Sequence, residues 1–109
     1  MTCDLWDIVV VPFPFTERPV SNKRPAAALS NRTFNERGHT LLAMITSSSL
    51  SWPSDVSISG LDSAGLSTPC AVRLKVFTLD NRLIMRRIGQ LSGDDRGRVA
   101  AELRAVLPL

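Results

Sequence analysis

The fold is set by Asp7-Ile8-Val9-Val10-Val11-Pro12-Phe13-Pro14-Phe15, an apolar run that prolines interrupt. A second run, Lys23-Arg24-Pro25-Ala26-Ala27-Ala28-Leu29, follows after a loop that holds Pro19. Because proline lacks a backbone N–H, we expect the proline-rich loop between the two runs not to pair as sheet. Arg24 therefore lies at the start of a strand beneath a loop, a position that suits bidentate binding of a phosphate.

Short β-type runs, separated by clusters of Pro, Gly, Asn and Ser, follow one another along most of the chain. The predicted strands are residues 7–11, 25–31, 40–47, 56–59, 71–78 and 84–90. Strands this short at these intervals are typical of a small β-barrel or a β-sandwich.

Three polar stretches predict connections between these strands. Residues 35–38 read as a hairpin turn in which Gly38 is free to take a positive φ. Residues 62–65 read as a second turn, and the Ser-rich stretch 47–53 reads as a loop at the mouth of the barrel.

Beyond residue 91 the pattern changes from strand-like to helix-like. Ser92 with a carboxylate at the third helical position resembles a capping box. Val99, Leu103 and Val106 then recur at helical spacing, and Pro108 ends the pattern. We therefore expect one amphipathic helix whose apolar side chains pack on the barrel.

The length of 109 residues fits a single domain, residues 1–109, with one core. A hydrophobic fraction of 44% and a mean hydropathy of +0.08 fit a packed soluble protein rather than a disordered tail. The net charge of +3 and the pI of about 9.5 suit a polyanionic partner. Taken alone, this modest basic excess is a weak signal.

Membrane insertion, secretion and metal binding are all disfavoured by the sequence. The longest apolar stretch, residues 8–15, is far shorter than the roughly 20 residues of a membrane-spanning helix. Asp4 and Asp7 stand where a secretory signal would be basic, so we expect a cytoplasmic protein. Cys3 and Cys70 lack the spacing of metal ligands, so we expect no metal and no cofactor. Because a cytoplasmic protein keeps its cysteines reduced, we expect both to be free thiols.

The ordered set of motifs resembles the MazF/PemK family of toxin ribonucleases along nearly the whole chain. No single piece is specific, whereas the order and spacing of the set are. The matching pieces are Asp7 to Phe15 as quoted above, Lys23-Arg24-Pro25-Ala26, Leu29-Ser30, Ile45-Thr46-Ser47, Leu79-Asp80 and Ile88-Gly89-Gln90-Leu91-Ser92.

The resemblance implies a mainly β protein, an SH3-like small barrel with a C-terminal helix of the CcdB/PemK type. It implies the toxin of a type II toxin–antitoxin pair, a homodimer that cuts single-stranded RNA, chiefly mRNA, without metal. The products would be a 2′,3′-cyclic phosphate and a 5′-hydroxyl. Its partners would be RNA and a cognate antitoxin, and it would contact DNA only indirectly, through the antitoxin.

Arg24 and Thr46 match the arginine and threonine that carry catalysis in this family. A guanidinium aimed at the non-bridging oxygens of a phosphate stabilises charge that develops in the transition state. Thr46 could donate its hydroxyl to the same phosphate. The alternative for Arg24 is a surface salt bridge with a carboxylate such as Asp80, and the alternative for Thr46 is a residue that simply favours strands.

Other residues are candidates for RNA binding or for proton transfer. Glu17, in the proline-rich loop, is a possible helper in proton transfer, whereas His39, the one histidine, reads as an exposed turn residue. Trp52 is either a platform for stacking a base or an anchor of its loop. Arg86 and Arg87 point to opposite sides of a strand, so at most one can serve a groove. The RNA-binding candidates are Lys23, Ser47, Arg73 and Lys75, of which Arg73 and Lys75 share one strand face.

One residue departs from the family pattern, and two other functions compete with RNA cleavage. Trp6 precedes Asp7 where the family usually has glycine, which puts base specificity in doubt more than activity. A gyrase poison of the CcdB type is disfavoured, because the chain ends in Pro108-Leu109 and lacks the Trp-Gly-Ile ending of that type. A non-catalytic SH3-like barrel that serves as a binding module is opposed only by the presence of Arg24 and Thr46.

Overall fold

The computed structural model describes residues 1–13 and 22–109. These residues form six β-strands, three α-helices and one 3₁₀-helix. In chain order they are β1 (Asp7–Phe13), β2 (Asn22–Ala28), α1 (Arg32–Asn35), β3 (His39–Thr46), β4 (Val56–Ser57), α2 (Leu61–Ala64), β5 (Ala71–Asp80), the 3₁₀-helix (Asn81–Leu83), β6 (Arg86–Gln90) and α3 (Gly93–Val106).

The six strands form one antiparallel sheet in the order β4-β5-β3-β2-β1-β6. The sheet is a half-barrel with apolar side chains buried on both faces. On one face Ile8 and Ala27 join Val99 of α3 in a first core. On the other face Val9 and Ala26 join a second core. Together with the C-terminal helix, this confirms the expected mainly β fold.

The prediction that proline would end the first strand early is wrong. β1 continues through Pro12, which lies opposite Lys23 of β2. Pairing of β1 with β6 stops at Val10, so Pro12 has a strand neighbour on one side only. Pro25 likewise precedes Ala26, where pairing of β2 with β3 begins. Each proline is paired with a strand on one side only, so no second strand needs the backbone N–H that proline lacks.

The predicted turn is present at residues 36–38, directly after a short helix, whereas a second short helix takes most of the turn predicted at residues 62–65. Helix α1 occupies much of the β2–β3 connection and is capped by the side chain of Asn31, which accepts from the backbone N–H of Phe34 at 2.9 Å. Gly38 has φ 113°, as its predicted role requires. Helix α2 ends at Gly65, whose φ of 72° is the left-handed conformation common after a helix.

Helix α3 begins as predicted, with the Ser92 hydroxyl accepting from the backbone N–H of Asp95. Asp95 does not complete a capping box, because its buried carboxylate instead accepts from the backbone N–H groups of Ser59 and Gly60 at 3.0 and 2.9 Å. Val106 is 50% exposed and does not pack on the sheet as expected. Like the other helices of the described chain, α3 is too short and polar to cross a membrane.

Candidate active site

Arg24 lies exposed near the start of β2, opposite Val11 of β1. Within residues 1–13 and 22–109, no carboxylate lies within salt-bridge distance of its guanidinium. The proposed alternative partner, Asp80, is instead bound by Arg82 at 2.8 Å, and this contact lowers the pKa of the Asp80 carboxyl well below its usual range. Among the described residues, the Arg24 guanidinium therefore has no charged partner.

Thr46 is the last residue of β3, and its hydroxyl oxygen accepts from the backbone N–H of Ser48 at 3.0 Å. Because β2 and β3 run antiparallel, the start of β2 and the end of β3 lie at the same end of the sheet. Arg24 and Thr46 line one open cavity there, of about 340 Å³. We call it the Thr46 cavity; Ser47, Arg73 and Lys75 also line it.

A second open cavity, of about 310 Å³, lies beside the first. Arg24 and Ser47 line both, so the two cavities meet at these residues. Lys23 and Arg86 line only the second, which we call the Arg86 cavity. The catalytic candidates and the four predicted RNA-binding residues therefore lie in one continuous region. This proximity does not test their roles, which remain predictions.

Arg73 is held by the loop that precedes β4. Its Nε and one terminal nitrogen donate to the two carboxylate oxygens of Asp55 at 3.1 and 2.9 Å, and the same terminal nitrogen donates to the carbonyl oxygen of Leu50 at 2.7 Å. The Arg73 and Asp55 side chains are only 13% and 9% exposed. The hydrogen bonds from Arg73 lower the pKa of the Asp55 carboxyl. Much of the charge of Arg73 is thus already paired.

Trp52 anchors its loop, which is one of the two roles expected for it. Its ring centroid lies 4.6 Å from the Arg73 guanidinium, a cation–π contact that anchors the loop. The Trp52 residue is nevertheless 44% exposed and lines a Ser-rich cleft with Thr46 and Ser47. An anchored ring with a free portion can still stack on a base.

Lys75 lies on the same sheet face as Arg73 despite an irregularity in the strand. Pairing of β3 with β5 shifts between Ala43 and Met44, which places Arg73 opposite Met44 and leaves Lys75 in the bulge. The Lys75 ammonium lies 5.9 Å from the ring centroid of Phe13 on β1. Both cations line the Thr46 cavity, so the predicted shared face is confirmed.

The structure shows which of Arg86 and Arg87 is available to a groove, a choice that the sequence left open. Arg87 donates to the buried carboxylate of Asp7 at 2.9 Å, and Gln90 donates to the same oxygen at 3.0 Å. Arg86 instead faces its cavity. Strand alternation indicated that only one of the two could serve a groove, but the choice depends on strand register and on the position of Asp7.

Two further candidates lie outside the site or outside the described chain. His39 begins β3 opposite Asp80, at the other end of the strand from Thr46. It is exposed, as expected, but it lies in a strand rather than in the predicted turn. Glu17 lies in residues 14–21, outside the described residues, so its role as a helper remains a prediction.

Both cysteines are free thiols in the described structure. Cys3 is fully buried in the second core, and burial raises the pKa of its thiol. Cys70 lines the Arg86 cavity and lies 3.8 Å from the Thr68 hydroxyl.

Comparison with solved structures finds the same fold in several proteins. A MazE–MazF complex from Deinococcus radiodurans has a TM-score of 0.80 and 20% identity, covering 100% of this chain and 99% of that one. A mycobacterial endoribonuclease in complex with its cognate antitoxin has a TM-score of 0.76 and 14% identity, with coverage of 99% and 95%. The Mycobacterium tuberculosis toxin MazF-mt6 has a TM-score of 0.76 and 18% identity, with coverage of 94% and 97%. At these levels of sequence identity, the structural similarity shows that this chain has the same fold.

Comparison with curated protein sequences gives no match. The family described as "PemK-like, MazF-like toxin of type II toxin-antitoxin system", however, matches residues 4–107. That match spans nearly the whole chain and confirms the resemblance seen in its motifs. The chain therefore belongs to the PemK-like, MazF-like family of type II toxin–antitoxin toxins.

Proposed function

We propose that this toxin cleaves single-stranded RNA, chiefly mRNA, without a metal ion, and leaves a 2′,3′-cyclic phosphate and a 5′-hydroxyl. The observation that carries the proposal is the placement of Arg24 and Thr46 in one open cavity, where Arg24 has no ion-pair partner among the described residues. Membership of the toxin family supports the kind of reaction.

In the proposed reaction the RNA supplies its own nucleophile. The 2′-oxygen attacks the adjacent phosphorus and loses its proton to a base, while the bond from phosphorus to the 5′-oxygen breaks and that oxygen gains a proton. Arg24 stabilises the negative charge that builds on the non-bridging oxygens, and the Thr46 hydroxyl donates to one of them. Glu17 is our candidate for a group that helps move a proton.

A direct test is incubation of the purified protein with RNA in EDTA, followed by analysis of the product ends. Arg24→Ala and Thr46→Ala should each lower the cleavage rate on the order of a hundredfold or more, because each removes a donor to the transition-state charge. Both variants should fold, since Arg24 is exposed and Thr46 is only half-buried.

Arg37→Ala is the matched control for Arg24→Ala. Arg37 is exposed, lies near the opposite end of the β2–β3 pair and changes the net charge equally. Wild-type cleavage rates in both active-site variants would show that the site is elsewhere. Binding of RNA by the wild-type protein without cleavage would favour the non-catalytic barrel.

The proposal extends to the partners and the compartment of the toxin. We expect a cognate antitoxin to cover the RNA groove in the cytoplasm, and the toxin to reach DNA only through that antitoxin. We also expect a homodimer, because a small barrel gains stability by pairing its exposed sheet edges. A stable monomer in sedimentation at micromolar concentration and above would contradict the dimer.

A further inference from the structure

We propose that Arg86, together with Lys23, binds the RNA phosphate next to the one that is cleaved. This subsite rests on the proposed function, since it assumes an RNA strand whose scissile phosphate lies at Arg24 and Thr46. Arg86 would be a binding residue that positions the strand. It takes no part in the reaction at phosphorus.

Strand register places Arg86 in line with Pro25, the residue after Arg24. Val10 of β1 lies opposite Pro25 of β2 on one side and opposite Arg86 of β6 on the other. The backbones of β2 and β6 are therefore two strand spacings apart, roughly 10 Å. Long cationic side chains from both strands can reach a single anion across that span.

The charge of the Arg86 cavity is uncompensated within the described chain. Three cations line it, Lys23, Arg24 and Arg86, and its described lining holds no carboxylate. None of the three is in a salt bridge among residues 1–13 and 22–109. Arg73, in the neighbouring Thr46 cavity, is by contrast paired with Asp55. Among the described residues, the larger number of cations without a salt-bridge partner therefore lines the Arg86 cavity.

Hydroxyl groups face these cations from a loop that close packing holds in place. Ser67 and Thr68 line the Arg86 cavity just after Gly65. A Cβ on Gly65 would lie 2.0 Å from the carbonyl oxygen of Ile88, so the loop approaches β6 more closely than any other residue type would allow. Cations and hydroxyl groups that line one cavity form a suitable site for a phosphate.

Among the described residues, Arg24 is the one cation that lines both cavities, and it sets the order of the two phosphates. Arg24 lines both cavities, whereas Thr46 lines only the first and Arg86 only the second of the two. An RNA strand whose scissile phosphate lies between Arg24 and Thr46 can continue from there into the neighbouring Arg86 cavity. On the Arg86 side, its next phosphate meets Lys23 and Arg86. Loss of Arg86 should therefore raise KM and leave kcat nearly unchanged.

The first experiment measures binding without cleavage. The ligand is a short mixed-sequence oligonucleotide with 2′-deoxy sugars, which lacks the 2′-hydroxyl nucleophile and so cannot be cleaved. Its affinity for the protein is measured at several salt concentrations. Arg86→Ala should weaken binding about tenfold, as loss of one charge-assisted contact does, and should make the slope of log affinity against log salt shallower by about 0.7. Arg86→Lys, which keeps the charge, should recover most of the affinity, and the control Arg37→Ala should match the wild type.

The second experiment locates the phosphate. In an RNA that contains the cut site, a neutral methylphosphonate replaces one neighbouring phosphate at a time. At one position the wild-type KM should rise about tenfold, whereas the KM of Arg86→Ala should change little further. Equal sensitivity of both proteins at every position would overturn the subsite, as would wild-type affinity in Arg86→Ala. Failure of the wild type to cleave RNA would instead overturn the proposed function, and the binding experiment would still decide whether Arg86 holds a phosphate.

Discussion

Arg73 on β5 donates two parallel hydrogen bonds to Asp55, at 3.1 and 2.9 Å, and so ties the loop before β4 to β5. The contact is nearly closed to solvent, because the two side chains are 13% and 9% exposed. Trp52 lies over the same guanidinium and lines a cleft with Thr46. The pair thus positions one wall of the candidate active site.

Asp55→Asn should lower the melting temperature by several degrees, because it leaves the Arg73 guanidinium with a neutral partner in a poorly solvated place. It should also raise KM for RNA, since the loop that holds Trp52 loses its anchor. Calorimetry and steady-state cleavage measure the two effects. Asp62→Asn, an exposed position with the same chemical change, is the control and should alter neither value. An unchanged melting temperature in Asp55→Asn would contradict the anchoring role.

Asp95 makes the stability of the folded protein sensitive to acid. Burial acts to raise the pKa of the Asp95 carboxyl, but hydrogen bonds from the backbone and hydroxyl of Ser59 and the backbone of Gly60 outweigh it. They lower this pKa from its ordinary 3.8 to about 2. Since the folded value lies below the unfolded one, Asp95 contributes stability above pH 3.8 that is lost as the pH falls toward about 2.

Asp95→Asn should therefore be less stable than the wild type at neutral pH, by about 1–3 kcal/mol for the weakened buried contacts. The difference should shrink as the pH falls from 3.8 toward about 2. Urea unfolding midpoints at neutral pH and at the acid end of this range measure the change. A difference that stays constant with pH would show that the Asp95 carboxylate is not responsible.

Local chemistry was enough to predict much of the fold. The apolar run from Asp7 predicted β1, and the hydroxyl of Ser92 predicted the start of α3. The hairpin turn predicted at residues 35–38 implies antiparallel strands, which put Arg24 and Thr46 at the same end of the sheet. In each case the decisive information lies within a few residues or in the pairing of adjacent strands.

The parts that sequence reasoning missed depend on contacts between distant residues. Nothing near Arg73 indicates that Asp55 binds it, because the loop must first fold back on β5. Arg86 and Arg87 look alike until the position of Asp7, eighty residues away from Arg87, decides between them. Pro12 appeared to end β1 because the absence of a second strand neighbour beyond Val10 cannot be read locally.

Gly89 and Gly97 differ in the space available for a Cβ atom. A Cβ on Gly89 would lie 2.4 Å from the Ser63 carbonyl oxygen and 2.5 Å from the Ala64 carbonyl carbon, both backbone atoms that cannot easily move. Gly89→Ala should therefore lower the free energy of unfolding by about 1–3 kcal/mol, because it forces α2 away from β6. Gly97 in α3 has open space around its Cβ position, so Gly97→Ala should raise that free energy by up to about 1 kcal/mol. Chemical denaturation measures both, and a harmless Gly89→Ala would show that α2 and β6 are not in close contact.

The backbone conformation of Trp6 is one that suits glycine. Trp6 is the one non-glycine residue of the described chain with a positive φ, 72°. Its backbone is fixed there, since its N–H donates to the Ala28 carbonyl at 2.9 Å and its carbonyl accepts from the Leu91 N–H at 3.1 Å. A side chain in the left-handed region costs about 1–2 kcal/mol, whereas glycine adopts it freely.

Comparing Trp6→Gly with Trp6→Ala separates this backbone strain from the packing of the indole, which contacts the first core. Both variants lose the indole, so the difference between them reports the backbone alone. At an ordinary position alanine is the more stabilising residue by about 0.4–1 kcal/mol, because it restricts the unfolded chain. At position 6 the order should reverse, with Trp6→Gly more stable than Trp6→Ala by about 1 kcal/mol in urea unfolding. If Trp6→Ala is at least as stable as Trp6→Gly, residue 6 does not hold a left-handed conformation in solution.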